Sequence, residues 1–168
     1  MIASILAVDE NGCIWKNNWL CWTIKRDLKF FSEKTKDSVV IMWKNTYLSL
    51  PEKFRPLPNR INIVLTKNNF SQDNVLVANS IQQALKKASW YGKDIFFIWW
   101  KSVYEKSLDF VDKVFLTKVL WKFDCDVCLS EEFFKKLNDK FFISKQSEVY
   151  EENWLRFRFL EYNKAVKK

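Results

Sequence analysis

The sequence predicts an α/β protein with a mostly parallel central sheet of about eight strands, an antiparallel C-terminal edge and about four flanking helices. Three observations support this. Short apolar runs bounded by polar residues recur along the chain, helix-like stretches alternate with them through most of its length, and strand-like stretches close it. Alternation of strands and helices is typical of parallel sheets, whereas consecutive strands at the end indicate antiparallel pairing.

The strands are predicted from apolar runs of the kind found in strands that are buried on both faces. The stretches that fit are residues 2–8, 38–42, 60–66, 75–78, 94–98 and 113–119. Helices are predicted at residues 24–36, 44–50, 80–89 and 102–107, with Ser80 as an N-cap. Residues 9–18 are expected to be a polar loop, and residues 51–59, which hold all three prolines, a second loop. In residues 133–162 we expect a short helix and two strands joined at residues 151–154.

Length and composition suit one domain over residues 1–168. Hydrophobic residues make up 48% of the chain and charged residues 29%, which is typical of a soluble globular protein. No apolar run reaches the roughly 20 residues that a membrane helix needs. The apolar start runs directly into Asp9 and Glu10 without a basic segment, so it is interpreted as a first strand and not as a signal peptide. We therefore expect a cytoplasmic protein without a membrane partner.

The four cysteines do not favour a metal site. Only Cys125 and Cys128 are close in sequence, and the chain has no histidine. A four-cysteine zinc site usually needs two such pairs. We expect free thiols in a reducing compartment and no bound metal.

The net charge of +8 favours anionic partners. A phosphorylated cofactor, a carboxylate substrate and nucleic acid all fit this charge. The basic residues are spread along the chain, so most of the excess is interpreted as ordinary surface charge.

Asp27 is the first candidate for chemistry. In the predicted helix it shares one face with Ile24, Leu28 and Phe31, which are all apolar. A carboxylate on a buried stripe costs several kcal/mol unless it has a partner. Two interpretations stay open: Asp27 faces a ligand or a buried partner, or it is a first-turn aspartate exposed to water.

Three strand ends carry a lysine beside a hydroxyl residue. They are residues 42–46, 65–67 and 98–102. In open α/β sheets, ligands bind beyond the carboxyl ends of the strands, and helix N-termini with nearby lysines bind phosphate. Together the three ends indicate a phosphorylated ligand.

Residues in the same order and at the same spacing as a known family occur nearly from end to end. The matching residues are Ala7, Val8, Asp9, Ile14 and Asn18; Leu20, Trp22, Asp27, Leu28 and Phe31; Thr46 and Tyr47; Arg55, Pro56, Leu57, Pro58, Arg60, Asn62, Ile63, Val64 and Leu65; Ile98 and Tyr104; and Leu116, Thr117, Phe123 and Asp126. Through them the chain resembles dihydrofolate reductase. The resemblance implies a monomeric enzyme that reduces dihydrofolate with NADPH and binds no nucleic acid.

The resemblance also implies a role for individual residues. Asp27 would hold the pterin and support its protonation, Thr117 would bond to Asp27, Trp22 would hold a water, and Leu20 would lie on a mobile loop; Tyr104 is included among the catalytic candidates. The implied substrate-binding residues are Ile5, Ala7, Leu28, Phe31, Leu50, Leu57, Arg60 and Ile98, with Arg60 for the glutamyl carboxylate. The implied NADPH-binding residues are Ala7, Ile14, Trp15, Asn18, Trp43, Lys44, Asn45, Thr46, Leu65, Thr66, Lys67, Ile98, Trp99, Trp100, Lys101, Ser102, Val103 and Tyr104.

Tryptophan stands where this family usually has glycine. The positions are 15, 43, 99, 100, 121 and 154, and position 19, where glycine is common, also has tryptophan. The chain has 2 glycines and 9 tryptophans, whereas average usage predicts about 12 glycines. Our hypothesis is that UGA codons for glycine in an alternative genetic code have been read as tryptophan. Restoring seven of them gives 9 glycines and 2 tryptophans.

Other functions remain open at this point. A basic nucleic-acid-binding domain could use tryptophans as stacking surfaces. A reductase of riboflavin synthesis would share the fold and NADPH. If the tryptophans are real, the chain could be an inactive homologue.

Overall fold

The computed structural model describes residues 1–17 and 19–166, with Trp19 described as backbone only. The strands are β1 (Ile2–Val8), β2 (Cys13–Lys16), β3 (Trp19–Leu20), β4 (Val39–Trp43), β5 (Ile61–Leu65), β6 (Val75–Ala78), β7 (Ile95–Ile98), β8 (Lys113–Val119), β9 (Val127–Cys128), β10 (Phe141–Gln146), β11 (Tyr150–Glu152) and β12 (Leu155–Lys164). The helices are α1 (Lys25–Thr35), α2 (Lys44–Ser49), α3 (Ile81–Ser89), α4 (Lys101–Ser107) and α5 (Glu131–Lys140).

The central sheet has the order β10-β12-β8-β1-β7-β4-β5-β6, and β11 pairs with β12. The strands from β8 to β6 are parallel, whereas β12 runs antiparallel to both β8 and β10. This confirms the predicted mixed sheet with an antiparallel C-terminal edge. The fifth helix, α5, agrees with the short helix expected at the start of residues 133–162, and it begins two residues earlier behind an N-cap at Ser130.

Successive residues of each strand point to opposite faces of the sheet, and apolar residues lie on both faces. Helices therefore cover both faces. On one face, α1 and α2 pack Phe30, Phe31 and Tyr47 against a core that includes Met42. On the other face, α3, α4 and α5 pack against a larger core. Both faces of the parallel strands are therefore buried, as their apolar runs predict. None of the helices in the described part of the chain has the length and apolar character that a bilayer crossing requires.

A small second sheet corrects the expectation of a simple loop before α1. In it, β2 pairs with β3 and with β9 in the order β3-β2-β9. These strands have only two to four residues each, and β9 lies more than a hundred residues away from β2. Pairing at such a distance leaves no local pattern that a sequence window could detect.

The expectation of free thiols is wrong. Cys13 is bonded to Cys128, and Cys21 is bonded to Cys125. The physical reason is the small sheet, in which Cys13 and Cys128 are cross-strand neighbours. Both disulfides join the segment before α1 to the segment after β8.

Candidate active site at the carboxyl ends of the parallel strands

The carboxyl ends of neighbouring parallel strands meet at one edge of the sheet. There β4 ends at Trp43, β5 at Leu65 and β7 at Ile98. The helices α2 and α4 begin directly after two of these ends, at Lys44 and Lys101. The three lysine-bearing junctions predicted from the sequence therefore lie side by side.

Asp27 lies in the first turn of α1 and turns its carboxylate inward. Its Oδ1 accepts a hydrogen bond of 2.6 Å from Oγ1 of Thr117 on β8. Burial raises the pKa of Asp27 to about 6, although the hydrogen bond from Thr117 acts in the opposite direction. Both interpretations of the sequence were partly right: the residue is in the first turn, and it faces a partner. A carboxyl group with this pKa keeps a proton to a higher pH than an ordinary aspartate, and a fraction of it is still protonated at neutral pH.

The N-terminus of α1 is held by a residue that sequence reasoning missed. The N-cap residue Ile24 has no side chain that can cap the helix. Instead the carboxylate of Glu152 accepts hydrogen bonds from the backbone N–H of Lys25 (2.6 Å) and of Arg26 (3.1 Å). Glu152 lies on β11, far away in sequence, so the only local signal was a helix start without a capping side chain.

The apolar residues predicted to bind the substrate divide between two cores of the protein. Ile5, Leu57 and Ile98 are buried in one core, against which Phe31 and Leu50 pack. Ala7 packs against a second core, which contains Trp22 and Ile24. Leu28 does not share this burial: 46% of it is exposed, so the predicted apolar stripe does not include Leu28.

Asn62 fixes the position of Leu57. Its Oδ1 accepts from the backbone N–H of Leu57 at 3.0 Å, and its Nδ2 donates to the carbonyl of Leu57 at 2.9 Å. Asn62 is only 1% exposed within an otherwise apolar strand. A lone amide in a buried strand was the signal that could have indicated this role.

Arg60 is held rigidly at the far end of α1. Its Nε donates to Oγ1 of Thr35 at 2.9 Å, its Nη1 to the carbonyl of Pro58 at 2.6 Å and its Nη2 to the carbonyl of Ser32 at 3.1 Å. A guanidinium has five N–H groups. Nη2 also donates to Oγ of Ser32 at 3.4 Å, so among the described contacts one N–H of Nη1 is left to bind a carboxylate.

Tyr104 ties three elements together. Its hydroxyl donates to the carbonyl of Ile5 at 2.9 Å and accepts from the backbone N–H of Trp99 at 2.5 Å. Burial raises the pKa of Tyr104, so the phenol stays protonated. Thr46 adds a hydrogen bond from Oγ1 to the carbonyl of Trp99 at 3.2 Å. Tyr104 thus acts here as a hydrogen-bonding brace between β1 and the end of β7.

Two cavities lie side by side at the strand ends. One has a volume of about 300 Å³ and includes Trp15, Asn45, Thr46, Trp99 and Trp100 in its lining. The other has a volume of about 340 Å³ and is lined by Trp43, Lys44, Asn45, Leu65, Thr66, Lys67, Asn68, Trp100 and Ser102. Most of the predicted cofactor residues therefore meet here, and Asn68 is an addition that the sequence reasoning missed.

Within the described part of the chain, the other predicted cofactor residues do not line these two cavities. Ile14, Ile98, Val103 and Tyr104 are at most 2% exposed. Lys101 faces Glu105 at 3.9 Å, one turn further along α4. Asn18 lies outside the described residues.

Leu20 and Trp22 lie where the small sheet meets the main one. Leu20 on β3 is paired with Trp15 and packs partly buried against the same core as Trp22. Trp22 is 5% exposed, and its ring lies 5.4 Å from that of Phe123. Its indole Nε1 has no hydrogen-bond partner among the described residues, which leaves a buried donor for a ligand or a water.

Several tryptophans fit this site poorly. Trp99 has a left-handed backbone, with φ of 55°, and its ring is stacked on that of Phe31 at 4.4 Å. Trp154 also has a left-handed backbone, with φ of 60°. The buried indole Nε1 atoms of Trp15 and Trp43 find no acceptor within residues 1–17 and 19–166. These are costs that glycine would not incur.

Comparison with known proteins agrees with this geometry. A family model described as dihydrofolate reductase matches residues 1–164. The dihydrofolate reductase of Bacillus subtilis is 33% identical over 165 residues, covering 98% of this chain and 95% of that protein. The dihydrofolate reductase of Aedes albopictus is 30% identical over 185 residues, covering 97% of each chain.

A solved structure agrees as well. Dihydrofolate reductase from Enterococcus faecalis, complexed with NADP(H) and RAB-propyl, superimposes with a TM-score of 0.85 at 28% identity, covering 99% of this chain and 97% of that one. The chain belongs to the dihydrofolate reductase family.

Proposed function

We propose that this chain reduces 7,8-dihydrofolate to 5,6,7,8-tetrahydrofolate with NADPH and so supports one-carbon metabolism. One observation carries the proposal above all. Asp27 is a carboxyl group with a pKa raised by burial to about 6, and it is held by Thr117. Such a group can bind the polar edge of a pterin and support its protonation near neutral pH. The reaction itself is inferred from the membership of this chain in the dihydrofolate reductase family.

Asp27 and the residues around it have different roles in the proposed reaction. NADPH supplies the hydride that C6 of dihydrofolate receives, and N5 takes a proton. Asp27 binds the amide and amino edge of the pterin and favours that protonation. The chain has no histidine, so no imidazole competes for this role. Thr117 orients the carboxyl group, and the buried Nε1 of Trp22 can hold a water beside it.

The remaining side chains position the substrate. Arg60 offers its charge and the remaining N–H of Nη1 to the glutamyl carboxylate. Leu20 lies on the segment that would close over the site. The apolar residues that would contact the folate are Ile5, Ala7, Leu28, Phe31, Leu50, Leu57 and Ile98.

The polar lining at the strand ends fits the phosphates of NADPH. Lys44, Thr66, Lys67 and Ser102 converge on one cavity. Ammonium and hydroxyl groups of this kind bind phosphate oxygens, and Lys44 and Lys67 would favour the 2′-phosphate. At the other end, the Trp99 ring on Phe31 takes up space beside the apolar pocket. The cofactor fits the lining better with glycine at this position.

We also propose that the seven tryptophans at positions 15, 19, 43, 99, 100, 121 and 154 are glycines in the natural protein. The left-handed backbone at Trp99 and Trp154 and the unpaired indoles of Trp15 and Trp43 support this for four of them. Reading the gene tests it directly: UGA at these positions is expected, and UGG would overturn the proposal.

The decisive assay follows the loss of NADPH absorbance when dihydrofolate is added. It is run on the chain with all its tryptophans and on a variant with glycine at the seven positions. We expect turnover by the seven-glycine variant, with kcat/KM falling about tenfold per pH unit well above pH 6. Asp27→Asn in that background should lower kcat/KM by about 100-fold or more and remove this pH dependence.

Different results would favour the other functions. NADPH oxidation only with a riboflavin-pathway substrate would indicate the related reductase. Salt-dependent binding of oligonucleotides without NADPH oxidation would indicate a nucleic-acid-binding domain. Turnover by neither form would indicate an inactive homologue.

We further propose a single-domain, monomeric enzyme that works in the cytoplasm and binds no nucleic acid. The central sheet is continuous: β12 pairs with β8, and β8 pairs with the first strand, β1. Strands from both ends of the chain therefore share one sheet, which supports a single domain. Size-exclusion chromatography with light scattering tests the oligomeric state. In a reducing compartment the two disulfides would be open to reduction.

A further inference from the structure

A separate cavity of about 580 Å³ lies on the face of the central sheet opposite to Asp27. Its size is in the range of sites that hold small organic ligands. Its lining comes from the end of β1, the turn after it, β8, α5, β10 and β12, and it includes Leu116, Lys118, Phe134, Arg158 and Leu160.

Strand alternation separates this cavity from the active site. Thr117 points to Asp27, so its neighbours Leu116 and Lys118 point to the other face. On β12, Leu160 lies opposite Leu116, and Arg158 lies opposite Lys118. The cavity therefore has an apolar wall of paired leucines with two cations next to it.

The two cations have no partner to neutralise them in the described part of the chain. Like charges that face each other across an antiparallel pair are destabilising. The ion pairs found within residues 1–17 and 19–166 include neither Lys118 nor Arg158. The Nε of Arg158 is buried and finds no hydrogen-bond acceptor among these residues. Such a donor calls for an acceptor from outside the chain.

The acids at the cavity do not fill this need. Asp9 uses its carboxylate for the backbone N–H groups of Asn11 and Cys13, each at 2.8 Å, and of Phe123 at 3.0 Å. Glu10 is exposed at the rim, and no ion pair of the described residues joins it to either cation. The lining thus holds two carboxylates and two cations, but in the described part of the chain neither carboxylate is paired with Lys118 or Arg158, and both cations remain open to an anionic ligand.

We propose that this cavity binds an organic anion with an apolar body. The acidic group lies between Lys118 and Arg158 and accepts from the buried Nε. The apolar body lies on Leu116, Leu160 and the ring of Phe134. Charge complementarity and the paired leucines both favour this class of ligand over an uncharged or a purely inorganic one.

The same cavity touches the chain that leads to the small sheet. A Cβ on Gly12 would lie 2.4 Å from the Phe134 ring, so the ring sits directly on this glycine. Gly12 comes immediately before β2, and β2 leads to Leu20. A ligand that contacts Phe134 therefore touches a side chain that packs on Gly12, at the start of the segment leading to Leu20.

The test uses 8-anilinonaphthalene-1-sulfonate, an aromatic anion that becomes fluorescent in apolar surroundings, with the full chain. We expect saturable binding with one site by titration calorimetry. Lys118→Gln and Arg158→Gln should each weaken it about tenfold, because each removes a charged donor. Lys118 is exposed, so its variant keeps the test valid if Arg158→Gln fails to fold.

Two controls make the outcome specific. Lys93→Gln removes an exposed lysine that belongs to neither cavity and should leave the affinity unchanged. The uncharged analogue N-phenyl-1-naphthylamine should bind more weakly and should not respond to Lys118→Gln. Equal affinity of both cation variants and the parent, or displacement of the probe by dihydrofolate or NADPH, would overturn the proposal.

Discussion

Asp27 is proposed as the catalytic acid because its surroundings stabilise the neutral form of its carboxyl group. The group lies in the first turn of a helix, where the helix dipole favours a negative charge. Burial nevertheless outweighs the dipole and the hydrogen bond from Thr117, and it raises the pKa to about 6. The same burial that prepares the acid for catalysis therefore destabilises the fold once the acid ionises.

Asp27→Asn should stabilise the protein at neutral pH. The folded-state pKa is raised, so the parent loses stability as the pH rises from about 4 to about 6, whereas asparagine does not ionise. At pH 7.5 the free energy of unfolding should be higher in the variant by on the order of 2–3 kcal/mol at most, and at pH 4 the two should be similar. Urea titrations at both pH values measure this.

Asp124 is the control, because its pKa is shifted in the direction opposite to that of Asp27. The hydrogen bond and the charge of Lys16 lower the pKa of Asp124. The contribution of Asp124 to folding stability is therefore present at neutral pH and is lost as the pH falls. Asp124→Asn should therefore not stabilise the protein at pH 7.5. A gain for Asp124→Asn, or none for Asp27→Asn, would contradict the assignment of the shift to burial.

Trp154→Gly should stabilise the protein by about 1 kcal/mol. Trp154 has φ of 60°, and the side chain is 68% exposed, so little burial is lost on truncation. Trp90 is the matched control, since it is 83% exposed but has φ of −67°. Trp90→Gly should give no gain in urea unfolding. An equal gain at both positions would mean that the backbone conformation is not the cause.

At the scale of elements, the site depends on α1 being held at both ends. Glu152 accepts from the first N–H groups of the helix, and Arg60 donates to its last turn through Thr35 and Ser32. Neither contact is local in sequence. Asp27 keeps its position relative to Thr117 because these two contacts fix the helix between them.

Glu152→Gln should cost about 1 kcal/mol of stability, because it removes a charged acceptor from a helix N-terminus. The KM for dihydrofolate should rise in the seven-glycine background, since α1 carries Asp27. Glu151→Gln is the control: Glu151 is exposed on the same strand, and its replacement should change neither quantity. Equal effects at both positions would show that general charge loss, not capping, is responsible.

Elements with their own pattern could be predicted from the sequence, and elements made by distant pairing could not. β1, β8 and α3 were predictable because an apolar run or the Ser80 cap marks each of them locally. β2 and β9 were not, since each becomes a strand only by pairing with the other. Asp27 could be found by its apolar neighbours, whereas the roles of Glu152 and Asn62 arise from contacts that only the folded chain makes.

At the scale of the whole molecule, the small sheet connects the segment before α1 to the end of β8. Two disulfides, the β2–β9 pairing and the contact of Asn17 N–H with Asp126 at 3.2 Å all join the same two segments. Residues of the segment before α1 line two of the cavities, with Gly12 in one and Trp15 in another. Movement of one segment therefore has to involve the other.

Oxidation of the reduced protein should give these two disulfides and not the neighbouring pair Cys125–Cys128. Oxidised glutathione followed by peptide mapping without reductant identifies the pairs. We expect Cys13 with Cys128 and Cys21 with Cys125, because the folded chain brings these sulfurs into contact. A Cys125–Cys128 disulfide as the main product would contradict the arrangement of the two segments.

The position of β12 has a consequence for the order in which the protein can be made. This strand is the last in the chain, yet it lies between β8 and β10 and holds both in the sheet. During synthesis, β8 and β10 leave the ribosome before the strand that separates them exists. Their free edges must stay unpaired until β12 has left the ribosome, which exposes the nascent chain to wrong pairing and to capture by chaperones. Completion of the sheet is therefore a step that waits for the synthesis of β12.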